Sequence, residues 1–505
     1  MILLLASIAL ALSAAPAQAV QVKNLALSKI TPDTAVLVVK ADVTVDVTVD
    51  FGVASGVYGA TKNGSGLTRH EILLDGLAPA SVVYYRVTMT DSANPADSIT
   101  LPEYSFHTAR TAGTAFSYAV AGDNRPWSDT TVQPAIWYTI VGQMAVEDID
   151  MSLNVGDFIW GVGGDSLAQS VARYEGLFAA TMRLTAAVPL YPALGNHERV
   201  DAANSRAGFE QQFTLPVNNG ADAGIYGEHY YSFDNGDTHF IALSTEIPGQ
   251  EGMITGNQRA WLEADLAAAT SKWIVVFMHR PLFSGAHAGD PWVNTGNAAG
   301  QANKAEIHNL FLSRGVDIVF EGHDHYYLRH EQDGIQYIIT GGGGAPLGGT
   351  PMLGPGDVFG AGTYEHVKVD ETANALQVSA VDTAGATLES FTIGVPSLSL
   401  SEVSAYWSSY ASFVGRDLSV DYSLTNDGPG DAVGIQIMYL VASGGVAPQS
   451  VTPFSLTDLA ATQSESFTVN YRVPFGVQTF WSHTYAVCND LGGAAYSFSG
   501  LAPAV

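Results

Sequence analysis

Six short, almost wholly apolar segments recur between residues 116 and 320, and they constrain the fold more than any other feature of the chain. They lie at 116–121, 151–155, 190–194, 239–244, 273–278 and 317–320. Amphipathic helical patterns, such as Ala168–Met182 and Gln258–Ala269, separate them. Strands that are apolar on both faces and alternate with helices predict an α/β fold with a buried sheet.

Polar, chemically reactive side chains follow these apolar segments. In α/β folds such side chains collect on loops just past the carboxyl ends of strands. The sequence therefore predicts that they converge on one site. The predicted metal ligands are Asp123, Asp157, Asn196, His279, His323 and His325.

Carboxylates, imidazoles and an amide in this number suit a pair of metal ions. Phosphate ester hydrolysis needs charge neutralised on the phosphoryl oxygens and hydroxide near neutral pH, and two ions about 3.5–4 Å apart supply both. Asp157 is the predicted bridging ligand, and His197 is the predicted proton donor to the leaving oxygen. The other ligands are expected to divide as follows: Asp123 on one ion, Asn196 and His279 on the second, and His323 and His325 one on each.

The segments on either side of this region have β composition. Residues 20–110 are rich in Val, Thr and Tyr between turn residues and resemble a fibronectin type III-like β-sandwich. Residues 396–505 are predicted to form a second, immunoglobulin-like sandwich. The α/β catalytic domain is expected between them, over residues 111–395.

Composition limits the partners and the chemistry of this chain of 505 residues. The formal net charge is −28, and most of it falls between residues 111 and 395, so double-stranded nucleic acid is not an expected partner. Cys488 is the single cysteine. This count excludes intramolecular disulfides and thiolate metal sites, so any metal must bind to His, Asp, Glu or Asn.

The N-terminal residues have the pattern of an export signal. An apolar run over residues 2–15 precedes Ala17-Gln18-Ala19, which has the small-x-small form of a cleavage site. A membrane anchor is the alternative, but the run is shorter than the roughly 18 residues that a span needs. We expect residues 1–19 to be a signal peptide, the mature protein to be secreted or periplasmic, and no membrane span to remain after cleavage.

The ordered set Gly122-Asp123, Gly156-Asp157, Gly195-Asn196-His197-Glu198, His279 and Gly322-His323-Asp324-His325 resembles the calcineurin-like metallophosphoesterase superfamily. The preceding β-sandwich and the stretch from Trp261 to Phe283 look most like purple acid phosphatase-related enzymes. The resemblance implies a four-layer α/β/β/α sandwich, a binuclear centre, and hydrolysis of phosphoric monoesters by metal-activated hydroxide with His197 as general acid.

Two residues depart from the family pattern. Arg125 stands where many members have a histidine ligand, and Trp160 stands where the purple enzymes have a tyrosine ligand; neither side chain can bind a metal. One ion would then keep only Asp123, Asp157 and His325, and the ferric charge-transfer colour is not expected. Two divalent or mixed-valence ions of Zn, Mn or Fe are the implied cofactors. Arg125 could grip the substrate phosphate or pair with a site carboxylate.

Several residues have two interpretations. His287 could contact the phosphate from outside the metal ligands, or be a solvent-exposed loop histidine. Glu198 could orient His197 or cap the following helix. The glycines at 341–344 could bind an anion or form a chain reversal beneath the site. His229 and His239 are predicted to be structural.

The function has alternatives too. The small substrate could be a phosphodiester of a nucleotide or phospholipid instead of a monoester. A non-catalytic surface-binding protein on the same fold is the alternative from another class. The sequence leaves the oligomeric state open.

Overall fold

The computed structural model describes residues 20–161, 165–199, 204–477, 480–490 and 495–504. The predicted signal peptide lies outside these residues. Strands within them form five sheets, one before residue 110, two between residues 116 and 394, and two after residue 398. None of the helices in the described ranges is long and apolar enough to cross a membrane.

The N-terminal segment is entirely β, as predicted. Its strands are β1 (Val22–Ser28), β2 (Thr34–Gly52), β3 (Ala60–Asp75), β4 (Val82–Asp91), β5 (Ser98–Thr100) and β6 (Tyr104–His107). The long β2 pairs with β1, β3 and β4, and the register of its pairing with β3 shifts after Lys40 and again after Val45. Alternate residues of β2, such as Val47 and Val49, are buried because successive side chains of a strand face opposite sides.

The middle of the chain contains most of the helices. The helices are α1 (Ala135–Met144), α2 (Leu167–Thr185), α3 (Asn196–Arg199), α4 (Asn204–Glu210), α5 (Gly256–Ala268) and α6 (Ala298–Arg314). The strands are β7 (Phe116–Ala121), β8 (Met151–Asn154), β9 (Leu190–Pro192), β10 (Tyr231–Asn235), β11 (Thr238–Ala242), β12 (Trp273–Phe277), β13 (Ile318–Glu321), β14 (Tyr327–Gln332), β15 (Ile335–Thr340), β16 (Asp357–Ala361), β17 (Glu365–Glu371), β18 (Ala375–Asp382) and β19 (Thr387–Gly394).

These strands form two sheets. The first has the order β19-β18-β17-β7-β8-β9, and the second has the order β10-β11-β12-β13-β15-β14-β16. Strands β7, β8 and β9 are parallel, and so are β11, β12, β13 and β15. Each parallel set therefore ends on one edge of its sheet, where the predicted site residues lie.

Strand alternation produces the layers. Tyr118 and Val120 of β7 belong to the core between the two sheets, together with Val275 of β12. Their neighbours Ala119 and Ala121 pack instead with the helical residues of α1 and α2. On the other side, Val276 and Val319 pack with residues of α5 and α6. The predicted four-layer α/β/β/α arrangement is confirmed.

A hairpin at Asn235-Gly236 joins β10 to β11, and it places His239 between two carboxylates. His239 Nδ1 lies 2.7 Å from Asp234 Oδ1, and its Nε2 lies 3.0 Å from Asp265 Oδ2. Burial lowers the pKa of His239, but the two carboxylates outweigh this effect and raise that pKa to about 9. These contacts agree with the structural role predicted for His239.

This raised pKa predicts a stability change at alkaline pH. The charged imidazole stabilises the fold fully below its ordinary pKa of 6.5, and this contribution is lost as pH rises towards 9. Because Asp234 is 69% exposed, we expect the charged imidazole to contribute only about 1–2 kcal/mol to the free energy of unfolding. The measurement is chemical denaturation at acid and alkaline pH of the wild-type protein and of His239→Gln, which should lack this part of the decline. An equal decline in both proteins would contradict the assignment.

The C-terminal segment packs two sheets around a core of its own. Its elements are β20 (Leu398–Tyr406), α7 (Tyr410–Gly415), β21 (Asp417–Asn426), β22 (Val433–Ala442), β23 (Ala447–Thr452), β24 (Ser464–Arg472), β25 (Phe480–Asn489) and β26 (Ala495–Ala504). The sheets have the orders β20-β21-β24-β23 and β22-β25-β26. Cys488 is a free thiol in this core. The domain boundaries at residues 110 and 395 fall between strands and remain a proposal.

Candidate metal centre

The predicted ligands come from both sheets. The loops after β7 and β8 of the first sheet carry Asp123 and Asp157, and Asn196 is the first residue of α3, which follows β9. Loops after β12 and β13 of the second sheet carry His279, His323 and His325. The two sets face each other across the edge where the parallel strands end.

The six predicted ligands form two groups that share one residue. Ligand atoms of Asp157, His279 and His323 lie within 4.8 Å of one another, and so do those of Asp123, Asp157 and His325. Asn196 adds its Oδ1 to the first group, 3.0 Å from His279 Nε2. The structure thus places Asp157 where a bridging ligand is expected and puts His323 and His325 in different groups.

Hydrogen bonds on the outer side of two histidines fix which ring atoms face the site. His279 Nδ1 donates to the Val155 carbonyl oxygen at 2.9 Å, and His325 Nδ1 donates to the Pro346 carbonyl oxygen at 2.8 Å. In a neutral imidazole the Nε2 atom then carries a lone pair and acts as an acceptor. Its neighbours are acceptors too: His279 Nε2 lies 3.4 Å from Asp157 Oδ1, and His325 Nε2 lies 3.4 Å from Asp123 Oδ1.

Acceptor atoms facing one another repel unless a cation or an extra proton lies among them. Asp123 Oδ1 is buried and accepts no hydrogen bond from any residue in the described ranges. Burial alone would raise the pKa of Asp157, but the positive charge of its neighbours, Arg125 among them, holds it well below its usual range. A buried, anionic carboxylate surrounded by lone pairs fits divalent metal ions, and this donor set of oxygen and imidazole nitrogen suits Zn, Mn or Fe.

Three of these residues have a left-handed backbone. Asp123, Asp157 and His323 have φ values of 53°, 55° and 70°. Such conformations cost on the order of 1–3 kcal/mol each for residues other than glycine, and they persist where the surrounding structure fixes them. Here they turn the side chain into the site directly after a strand.

Glu198 holds the loop after β8, which carries Asp157. Its carboxylate accepts hydrogen bonds from the backbone N–H groups of Asp157, Phe158, Ile159 and Gly195, at 2.8 to 3.0 Å. Neither interpretation from the sequence, orientation of His197 or a helix cap, describes this role. Three of the four donors lie about 40 positions earlier in the chain, so no local pattern could have indicated them.

We expect Glu198→Ala to lower the free energy of unfolding by about 3 kcal/mol or more, because four buried N–H groups lose their acceptor. Metal stoichiometry should fall as well, since the backbone of Asp157 is no longer held. Glu263→Ala removes an exposed carboxylate that pairs with Arg259, and it is the matched control with an expected loss below about 1 kcal/mol. Denaturant unfolding and metal analysis measure both; equal stability of the two variants would contradict the role of Glu198.

His197 lies beside the shared carboxylate. Its backbone N–H donates to Asp157 Oδ1 at 2.9 Å, and its Nε2 lies 3.8 Å from Asp157 Oδ2. The Trp160 ring packs against the imidazole with a centroid distance of 4.8 Å. Burial lowers the pKa of His197, while Asp157 opposes this effect.

Arg125 is buried and pairs with a site carboxylate. Its Nε lies 3.2 Å from Asp157 Oδ2, and its guanidinium carbon lies 4.9 Å from the centre of the Trp160 ring. The two residues that depart from the family pattern therefore contact each other. The ion-pair interpretation describes an observed contact, whereas a contact with substrate phosphate stays a prediction.

His287 lies at the edge of the site. Its ring stacks on His323 with a centroid distance of 3.9 Å, and its Nδ1 bonds to Asp324 Oδ1. Asp324 also accepts hydrogen bonds from Ser284 and Tyr326, and Asp290 Oδ2 lies 3.1 Å from His323 Nε2. The side chain of His287 is 46% exposed, so it is both a loop histidine and a neighbour of a predicted ligand. Sequence reasoning missed the supporting roles of Asp290 and Asp324.

The glycines at 341–344 run beneath the loop after β7, which carries Asp123. Gly343 N–H donates to the Gly122 carbonyl oxygen at 2.9 Å, and Ala345 N–H donates to the Asp123 carbonyl oxygen at 2.8 Å. A Cβ atom at Gly343 would lie 2.1 Å from the Gly122 carbonyl oxygen, so no side chain fits there. These amides support the backbone of Asp123, which agrees with the chain-reversal interpretation.

Known proteins share this middle region. Residues 127–327 match the family model for calcineurin-like phosphoesterases. Purple acid phosphatase 23 of Arabidopsis thaliana is 30% identical over 312 residues, and the match covers 54% of this chain and 62% of that protein. Purple acid phosphatase 15 of the same plant is 27% identical over 54% of this chain and 53% of its own length. The chain thus spans less than two thirds of the length of these relatives.

Solved structures share the fold. A purple acid phosphatase from yellow lupin (Lupinus luteus) seeds superimposes with a TM-score of 0.60 at 18% identity, over 74% of each chain. The structure of PhoD superimposes with a TM-score of 0.58 at 15% identity, over 74% of this chain and 90% of that one. Together with the family match and the order of the ligand loops, these similarities show that the chain contains a calcineurin-like phosphoesterase domain and is related to the purple acid phosphatases.

Proposed function

We propose that this protein hydrolyses small phosphoric monoesters at a centre of two metal ions. The observation that carries the proposal is the pair of ligand groups that share Asp157, with the His197 ring beside the shared carboxylate. Asp123 and His325 would complete one ion's protein ligands, and Asn196, His279 and His323 those of the other. When bound, the ions would neutralise phosphoryl charge and lower the pKa of a water molecule.

The protein groups have separate tasks in this proposal. His197 gives its proton to the leaving oxygen, and the Asp157 contacts of its backbone and ring hold it in place. Arg125 carries a permanent positive charge at the wall of the site, where it favours the anionic substrate. The imidazole of His287, which Asp324 holds over His323, lies at the edge where a phosphate would enter.

The test combines metal analysis with an ester panel. Protein purified without chelator should contain about two metal ions per chain and hydrolyse nitrophenyl phosphate faster than bis(nitrophenyl) phosphate. Chelation should abolish this activity, and Zn, Mn or Fe should restore it. Faster turnover of the diester would identify a phosphodiesterase instead. A protein that binds none of these metals and hydrolyses neither ester would be a non-catalytic member of the fold.

We also propose that the mature protein is exported and begins at Val20, after Ala17-Gln18-Ala19. Mass spectrometry of protein secreted by a bacterial host checks this cleavage. A chain that keeps residues 1–19 in the membrane fraction would contradict it.

A further inference from the structure

An exposed indole lies next to the proposed centre without a role in the core. Trp127 is 64% exposed and belongs to none of the hydrophobic clusters formed by the described residues. Its ring centre lies 6.1 Å from that of Trp160, at an interplanar angle of 55°. We call these two residues the tryptophan wall.

The tryptophan wall lies on the side where a leaving group would depart. In the proposed reaction the leaving oxygen must come within about 3 Å of the proton donor His197. Trp160 already packs against the His197 ring at 4.8 Å, so it is covered on that face. Trp127 is the next ring outward, and it presents an uncovered surface.

A positive charge lies between this wall and the shared carboxylate. The guanidinium carbon of Arg125 is 4.9 Å from the Trp160 ring centre and 6.0 Å from that of Trp127, and its Nε is 3.2 Å from Asp157 Oδ2. An anionic phosphate near Arg125 would therefore place the body of its ester beside Trp127. Exposed aromatic faces beside a cation suit planar, ring-bearing groups, because such rings stack on an indole.

We propose that the centre prefers phosphate esters whose leaving group carries a planar ring, aryl or nucleobase, and that Trp127 stacks on this ring. The proposal rests on the proposed function and names the class of substrate for the same site. Trp127 is here a specificity-determining residue that takes no part in proton transfer or metal binding.

A neighbouring cavity is the rival location for such a ring. It has a volume of about 520 Å³, and Phe283, Lys304, Tyr326 and Met352 are among its lining residues. None of the nine predicted site residues lines it. Ser284 and Tyr326 of its wall bond to one oxygen of Asp324, whose other oxygen holds His287, so Asp324 lies between the cavity and the centre.

The experiment compares esters with and without a ring. Nitrophenyl phosphate and adenosine monophosphate carry an aryl ring and a nucleobase, and glycerol phosphate carries neither. In Trp127→Ala we expect kcat/KM to fall about 5- to 20-fold for the two ring-bearing esters, mainly through KM. For glycerol phosphate we expect a change of less than about twofold, because no stacked ring is lost. Trp127→Phe should restore most of the preference.

Met352→Ala is the matched control, since Met352 is 95% exposed and lies in the rival cavity. It should leave all three esters unchanged, and a selective loss of the ring-bearing esters in this variant would overturn the proposal. An equal loss for all esters in Trp127→Ala would overturn it as well, because the residue would then be merely structural. If the wild-type protein hydrolyses all three esters, either of these two overturning results removes the inference and leaves the proposed function intact. If it hydrolyses none, the proposed function fails, and the inference fails with it.

Discussion

Asp157→Ala is expected to lose bound metal and to lower turnover of phosphate esters by about a thousandfold or more. Asp157 is the one residue common to both ligand groups, so its removal takes a ligand from each ion at once. Metal ions contribute several kcal/mol of charge stabilisation in such reactions, which corresponds to a loss of this size. Metal analysis of the purified variant and steady-state kinetics with nitrophenyl phosphate measure the two effects.

Glu371→Gln is the control for this variant. Glu371 is also a buried carboxylate of the middle region, but it accepts hydrogen bonds from Thr238 and Asp237, away from the ligand loops. The Glu371→Gln variant should retain its bound metal and its rate of ester turnover. Two bound ions and normal turnover in Asp157→Ala would show that the centre lies elsewhere.

His197→Ala should slow turnover while the metal content stays unchanged. Loss of a general acid typically costs about 10²- to 10⁴-fold, because the leaving oxygen must then depart without a proton. The loss should be larger for glycerol phosphate than for nitrophenyl phosphate, since a nitrophenolate leaves readily as an anion. His107→Ala serves as the control, because this histidine pairs with Asp150 outside the site.

The dependence on the leaving group separates a proton donor from a residue that only supports the loop. A uniform loss across both esters would identify His197 as structural. Loss of metal in His197→Ala would instead make it a ligand or a support for one.

The apolar pattern of the sequence located six of the thirteen strands of the middle region, namely β7, β8, β9, β11, β12 and β13. Strand β7 begins and ends at the predicted residues, whereas β9 ends at Pro192, two residues before the predicted end at Leu194. The prediction succeeded because strands buried on both faces show their apolar character directly in the sequence. The convergence of the ligand loops then followed from the parallel order of the strands.

The supporting interactions could not be predicted in the same way. Glu198 binds backbone groups of residues that lie about 40 positions earlier in the chain, and backbone groups leave no signature in a sequence. The left-handed φ angles of Asp123 and Asp157 occur at aspartates, which adopt this region more readily than most residues but give no sign of it. The contact between Arg125 and Trp160 joins two loops, so neither departure from the family pattern explained the other.

Because the predicted ligands come from two sheets, bound metal ions would also stabilise the packing of one sheet on the other. Asp123, Asp157 and Asn196 belong to one sheet, and His279, His323 and His325 belong to the other, so bound ions would cross-link the two halves of the sandwich. Sliding of one sheet over the other would then require release of metal, and ligands that bind only the folded state resist unfolding. Resistance to heat should therefore follow metal occupancy, even in a variant that has no activity.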